Sequence, residues 1–201
     1  MNASGAALLM NPHPCGHIVY PYTEESLVGQ AVCLFTSAGL RDGEGVILIM
    51  SEAHCESIKV RLAIEGFDTE EYNRSGQLIC VTAEDLLEKF VVHGAIDEGL
   101  FKSTIGGLIE EARRNVSMGD GRQRRVRLFG EMVSQLRNAN LAATTRLEEL
   151  WNEIIHHHSV ALLCTYSMSD QDDHIPEKLI GLHSHNLERE ALQPMTSVAN
   201  S

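Results

Sequence analysis

Long apolar runs are missing from these 201 residues. The longest, Gly45 to Met50 and Val160 to Cys164, fall well short of the ~18 residues that cross a bilayer, so no membrane span is expected. Positive charge is scarce as well: 16 Lys and Arg stand against 28 Asp and Glu, a net charge of −12. Repulsion would oppose a nonspecific hold on polyphosphate or anionic lipid, which argues against a nucleic-acid binder. Aromatic residues make up 5% of the chain, with a single tryptophan. The five cysteines are an odd number, and Cys33, Cys80 and Cys164 lie within apolar runs, where a thiol acts as a small hydrophobe. A reducing cytoplasm is the expected setting. Met1 to Pro14 lacks a basic leader region and reads as a loose tail rather than a secretory signal.

A chain of this length and composition, 43% hydrophobic and 22% charged, makes one globular domain burying roughly 70% of its unfolded surface without disulfides or structural metal. Short β-branched runs alternate with longer helical periods, the pattern of an α/β protein with a mostly parallel sheet covered on both faces. His17 to Tyr22 reads as a first strand, and Pro21 suggests that it is an edge strand or ends there. Thr23 is placed to cap a helix running to Gly39. Val46 to Met50 is apolar throughout, as a central strand should be, and Ser51 caps a helix closed at Gly66. Leu78 to Thr82 is a third strand, followed by helical stretches from Ala83 to His93 and from Asp97 to Asn115. The Gly- and Arg-rich Val116 to Arg125 reads as a solvated turn, with an anion contact as the alternative. Arg125 to Gly130 forms a fourth strand, Met132 to His158 a long helix that Asn138 to Asn140 can interrupt, Val160 to Tyr166 a fifth strand, and Ile175 to Leu187 a last helix with Pro176 in its first turn.

Signatures of familiar chemistry are also missing. No Gly-Lys-Ser/Thr occurs, and at the turn after the central strand Glu52 and Glu56 would repel a triphosphate. Gly119-Asp-Gly121 lacks the third glycine of a dinucleotide fingerprint, and there is no Gly-x-Ser-x-Gly elbow. No catalytic motif is complete, and no cofactor is expected.

Three polar groupings remain. Cys15 and His17 lie beside Tyr20 and Tyr22 around the first strand, as half-buried sheet residues or as ligands. Glu131 stands at a strand's carboxyl end, where open α/β sheets bind ligands, or else caps the helix that follows. Glu148 and Asn152 share one helix face beside Trp151, which is either a ligand wall or helix packing with Glu148 solvated. Histidine forms the third grouping. His156, His157 and His158 point in different directions and cannot share one ion; as cations they suit a helix C-terminus. No metal is expected, although a zinc could find Cys15, His17, His183 and His185, with His174, if the chain ends converge.

Three segments carry a family resemblance: Arg127-Leu-Phe-Gly-Glu-Met-Val133, Arg146-Leu-Glu-Glu-Leu-Trp-Asn-Glu153 and Leu162-Leu-Cys-Thr-Tyr166. They resemble the core of the methanogen/methylotroph sensory domain, the MEDS family typified by the dichloromethane regulator. The opening strand from His17, the strand from Gly43 and the segment Ile180 to Asn186 are similar too, so the likeness spans about residues 15–190, between tails at 1–14 and 191–201. It implies a RecA/KaiC-like sheet with a degenerate phosphate loop, used as a noncatalytic sensor of small organic molecules. It further implies a partner such as a kinase or transcription regulator, since no output domain is apparent. On that reading His17 and Glu131 give polar recognition, Tyr20 lines the site, Trp151 supplies an apolar wall, and Glu148 with Asn152 orients the others. The alternatives are a relic nucleotide binder or weak ATPase, and a protein-interaction module, often dimeric. A metal-dependent hydrolase ranks below both.

Overall fold

A computed structural model describes residues 3–114, 124–137, 140–168 and 175–187. Its elements, in chain order, are α1 (Ala3–Met10), β1 (His17–Tyr22), α2 (Glu25–Arg41), β2 (Gly45–Met50), α3 (Glu52–Ile64), α4 (Thr69–Arg74), β3 (Leu78–Thr82), α5 (Ala83–Phe90), β4 (Val91–Val92), β5 (Ala95–Ile96), α6 (Glu98–Arg114), β6 (Val126–Gly130), α7 (Met132–Arg137), α8 (Leu141–His158), β7 (Ala161–Ser167), α9 (Glu177–Ile180) and β8 (His185–Asn186). Six strands form one sheet in the order β3-β2-β6-β7-β1-β8, and every pairing in it is parallel. The expected α/β class is therefore observed.

Burial explains why the strands read as they do. β2 is buried at all six positions, with Ile47 and Ile49 in one core layer and Val46, Leu48 and Met50 in the other, because the pleat sends alternate side chains to opposite faces. The first layer packs α5, α6 and α8 through Phe90, Phe101, Ile105, Leu147 and Trp151. The second packs α1, α2 and α3 through Leu9, Phe35, Ile58 and Leu62.

Several local expectations are corrected. Residues 3–10 of the supposed loose tail form α1, which packs against α2. Leu9 is fully buried there, and the Arg127 guanidinium donates to the Leu9 carbonyl at 3.3 Å and to that of Phe35 at 2.8 Å. β1 is flanked by β7 and by the short β8, which pairs only with Ile18 and Val19; Pro21 lies past that pairing, so its missing N–H costs no ladder bond. Thr23 does not cap α2, whose N-cap position is Glu24. Gly39 does not end α2, which runs to Arg41; a Cβ at Gly39 would lie 2.7 Å from Arg127 Cδ and Nε, so the residue serves close packing. The helix from Ala83 stops at Phe90, and a β4-β5 hairpin follows with His93 and Gly94 both at positive φ, the backbone of a two-residue primed turn. The last helix is a single turn with Pro176 at its N-cap, and the chain then re-enters the sheet as β8.

Other readings hold. Ser51 caps α3, its hydroxyl accepting the His54 N–H at 3.3 Å. The long helical stretch is broken before Asn140, whose side chain caps α8 by accepting the Ala143 N–H at 3.0 Å. Most of the Gly- and Arg-rich loop lies outside the described residues, but Arg125 donates to the Pro12 carbonyl at 2.9 Å. Among the described residues no helix is long and apolar enough to cross a membrane.

Candidate functional site

The sheet reverses its winding between β2 and β6. The chain leaves β2 into α3 on one face and leaves β6 toward α7 and α8 on the other, which opens a crevice at the strands' carboxyl ends. Glu131, the residue after β6, sits there, held by its own N–H donating to the Ile49 carbonyl at 3.1 Å. Its carboxylate accepts the Ser51 backbone N–H and lies 2.7 Å from His54 Nδ1. It therefore caps α3 across the crevice rather than the helix that follows it. An anion at a helix N-terminus is favoured by the free N–H groups and the dipole, and here the protein supplies that anion itself.

Beside this carboxylate opens a cavity of about 310 Å³ between α2 and α3. Val28, Val32, Met50, Ile58 and Phe129 give it apolar walls, and Tyr22, Glu25, His54, Arg61 and Glu131 line its polar side. The Tyr22 hydroxyl donates to Glu25 at 3.3 Å. Burial first, then the charge of Glu25, pushes this phenol up to about 12, so it remains a donor. Burial alone would lower the His54 imidazole value; the hydrogen bond and charge of Glu131, with the charge of Glu25, outweigh it and raise the value.

A second polar group lies within the core layer under α8. Four residues that can each offer a ligand atom, His17, Glu148, Cys164 and His183, place those atoms within 4.8 Å of one another. His17 Nε2 is 3.4 Å from Cys164 Sγ and 3.3 Å from Glu148 Oε2, and His183 Nε2 is 3.4 Å from Glu148 Oε1. Tyr166 donates its hydroxyl to Glu148 Oε1. Glu148 is fully buried. Burial would push its carboxyl up, but the His17 and His183 rings beside it outweigh burial and hold it at about 2. Burial, then the Glu148 charge, pushes the Cys164 thiol up.

The structure thus divides the six residues singled out from the sequence. Glu131 stands at the cavity. His17, Glu148 and Asn152 meet in the buried cluster, where Asn152 Oδ1 is 3.0 Å from His17 Nδ1; Glu148 is not on a solvated face. Tyr20 points into the opposite core layer from Val19 and lines neither site. Trp151 does not line the cavity: it is 1% exposed and packs edge-on to Phe101 with ring centroids 5.1 Å apart. Of the zinc candidates, His17 and His183 converge, whereas Cys15 and His185 are not in the cluster and His174 lies outside the described residues. At the end of α8 the Arg113 guanidinium donates to the His158 carbonyl. Burial, then His157 and Arg113, lowers the His158 value, and Arg113 is the cation that bonds that terminus. Sequence reasoning missed His54 and Cys164. His54 follows the Ser51 cap by three residues and so faces the crevice, a usable signal; Cys164 gives none, since its partners come from three other segments.

The family model described as the methanogen/methylotroph, DcmR sensory domain, MEDS, matches residues 16–184. No curated protein matches the chain.

Proposed function

Because this chain belongs to the MEDS family of sensory domains, we propose that it is a noncatalytic input module that binds a small organic molecule between α2 and α3 and passes its state to a separate output protein. The observation that carries this reading is the Glu131 carboxylate at the N-terminus of α3. In a RecA/KaiC-like nucleotide-binding protein the turn after a central strand receives phosphate; here a carboxylate takes the Ser51 N–H at that turn, and the Gly-Lys-Ser/Thr of a phosphate loop is missing. Recognition is left without the cation that phosphate transfer needs.

The neighbouring cavity supports a small, largely apolar ligand. Its volume, about 310 Å³, is at the low end for small-molecule sites, and a few polar groups beside apolar walls are what orient a ligand in such sites. A molecule with one hydroxyl, amine or similar donor would place it toward Glu25 and Glu131 and its hydrocarbon part against Val28, Met50 and Phe129. Filling the space would bring α2 and α3 together, and those two helices are the elements through which a partner such as a kinase or transcription regulator would read the change.

Native mass spectrometry of freshly purified protein, followed by a thermal-shift screen of small alcohols, amines and nucleotides, tests the reading. A retained or stabilising organic molecule that binds Glu131→Gln about tenfold more weakly supports it. Stabilisation by nucleotide with metal-assisted hydrolysis overturns it in favour of a nucleotide-binding enzyme, and stabilisation only by a second copy or partner overturns it in favour of an interaction module.

A further inference from the structure

We infer that His17, Glu148, Cys164 and His183 form a buried tetrahedral site for a divalent transition-metal ion of the zinc class, one that ties the segment 175–187 to the sheet.

The spacing fits. Zinc bonds of about 2.0–2.1 Å to nitrogen or oxygen and about 2.3 Å to sulfur put neighbouring ligands of a tetrahedron roughly 3.3–3.6 Å apart. His17 Nε2 lies 3.4 Å from Cys164 Sγ and 3.3 Å from Glu148 Oε2, two ligand pairs at that separation in a set that falls within 4.8 Å, and His183 Nε2 lies 3.4 Å from Glu148 Oε1, the other oxygen of the carboxylate.

The protonation pattern fits as well. Asn152 donates its amide to the Leu182 carbonyl at 2.9 Å, which turns its oxygen toward His17, so His17 donates from Nδ1 at 3.0 Å. His183 Nδ1 lies 2.9 Å from the Leu179 carbonyl, which can only accept. Each neutral ring therefore offers an Nε2 lone pair to the centre of the cluster, the orientation that outer partners impose on metal-bound histidine. The Tyr166 hydroxyl occupies Glu148 Oε1, leaving Oε2 for a single bond. Glu148 Oε2 and His183 Nε2 are buried and make no hydrogen bond of good geometry, only the 3.3 and 3.4 Å approaches within the cluster itself, an arrangement that costs free energy unless something fills the space between them. The side chains of His17, Glu148 and His183 are 2%, 0% and 0% exposed, and Cys164 is 1% exposed. One carboxylate and one thiolate balance a divalent cation, so the occupied site would bury no net charge.

Four protein ligands with no open position describe a structural site rather than a catalytic one. They come from β1, α8, β7 and the turn after α9. β8 meets the sheet by two residue pairs only, so His183 would be the strongest tie of that segment.

Elemental analysis of the chain purified without chelator is expected to find about one zinc per chain. Cobalt(II) added to metal-stripped protein is expected to give the visible bands of a tetrahedral centre with a thiolate charge-transfer band. Cys164→Ser removes that band, Cys15→Ser and His185→Ala leave it in place, and Asn152→Leu lowers zinc affinity about 10- to 100-fold. Should Cys164→Ser fail to fold, hydrogen exchange on the wild-type chain decides: stripping the metal is expected to speed exchange across residues 177–187. A chain without zinc that binds no cobalt, a charge-transfer band that survives Cys164→Ser, or exchange indifferent to zinc would each overturn the proposal and leave these residues as a hydrogen-bonded core cluster. None of these readouts depends on the cavity beside Glu131, so the two proposals fail separately.

Discussion

Ser51 and Glu131 meet across the point where the sheet reverses: the Ser51 N–H donates to the Glu131 carboxylate, linking the end of β2 to the end of β6, 80 residues away in sequence. One residue thereby closes a helix N-terminus and walls a cavity.

Glu131→Gln keeps an acceptor for Ser51 but loses its charge. The expected cost is about 1–2 kcal/mol, which for a chain of this length lowers the melting temperature by a few degrees. Binding of a cavity ligand should weaken more, about tenfold. Thermal denaturation and ligand titration on the same samples separate the two, and a collapse of folding would make Glu131 a structural residue.

The raised value of His54 predicts a pH dependence. A group whose folded value lies above its unfolded one contributes stability that is fully present below the unfolded value, about 6.5 for imidazole, and lost as pH rises through the folded value. Denaturant titrations across that interval should show stability falling with pH. His54→Gln should flatten the slope, and an unchanged slope would remove His54 as its source.

Trp151→Ala should cost about 3–5 kcal/mol through the cavity left against Phe101, while Trp151→Phe costs less. Either variant, where folded, should bind a cavity ligand with wild-type affinity, since Trp151 does not line that space. A selective loss of binding would restore the ligand-wall role.

Arg127→Met leaves Glu44, 5% exposed and otherwise 2.5 Å from the guanidinium, without its closest cation, at an expected cost of about 3–5 kcal/mol. Adding Glu44→Leu should recover most of it. Because Arg127 also donates to the Leu9 and Met10 carbonyls, limited proteolysis should cut Arg127→Met near α1 sooner than wild type. Equal cutting would show that α1 docks by its apolar contacts alone.

What the sequence determined by itself was periodic and local. The uninterrupted apolar run of β2, the Ser51 cap, the Asn140 break and the parallel α/β class follow from spacing and from side chains acting on their own backbone, and the family resemblance covers most of the chain because such patterns persist along it. The tertiary structure decided which polar groups face one another. Glu148 and Asn152 share a helix face by their spacing, but that this face is buried against His17, and that Cys164 and His183 arrive at the same point, depends on strand order and on the return of residues 175–187 to the sheet. Trp151 and Tyr20 show the converse: an aromatic ring near candidate polar residues in sequence carries no information about which core layer will enclose it. Periodicity is set over one or two turns of chain, whereas hydrogen-bond and ligand partners are chosen by packing across more than a hundred residues.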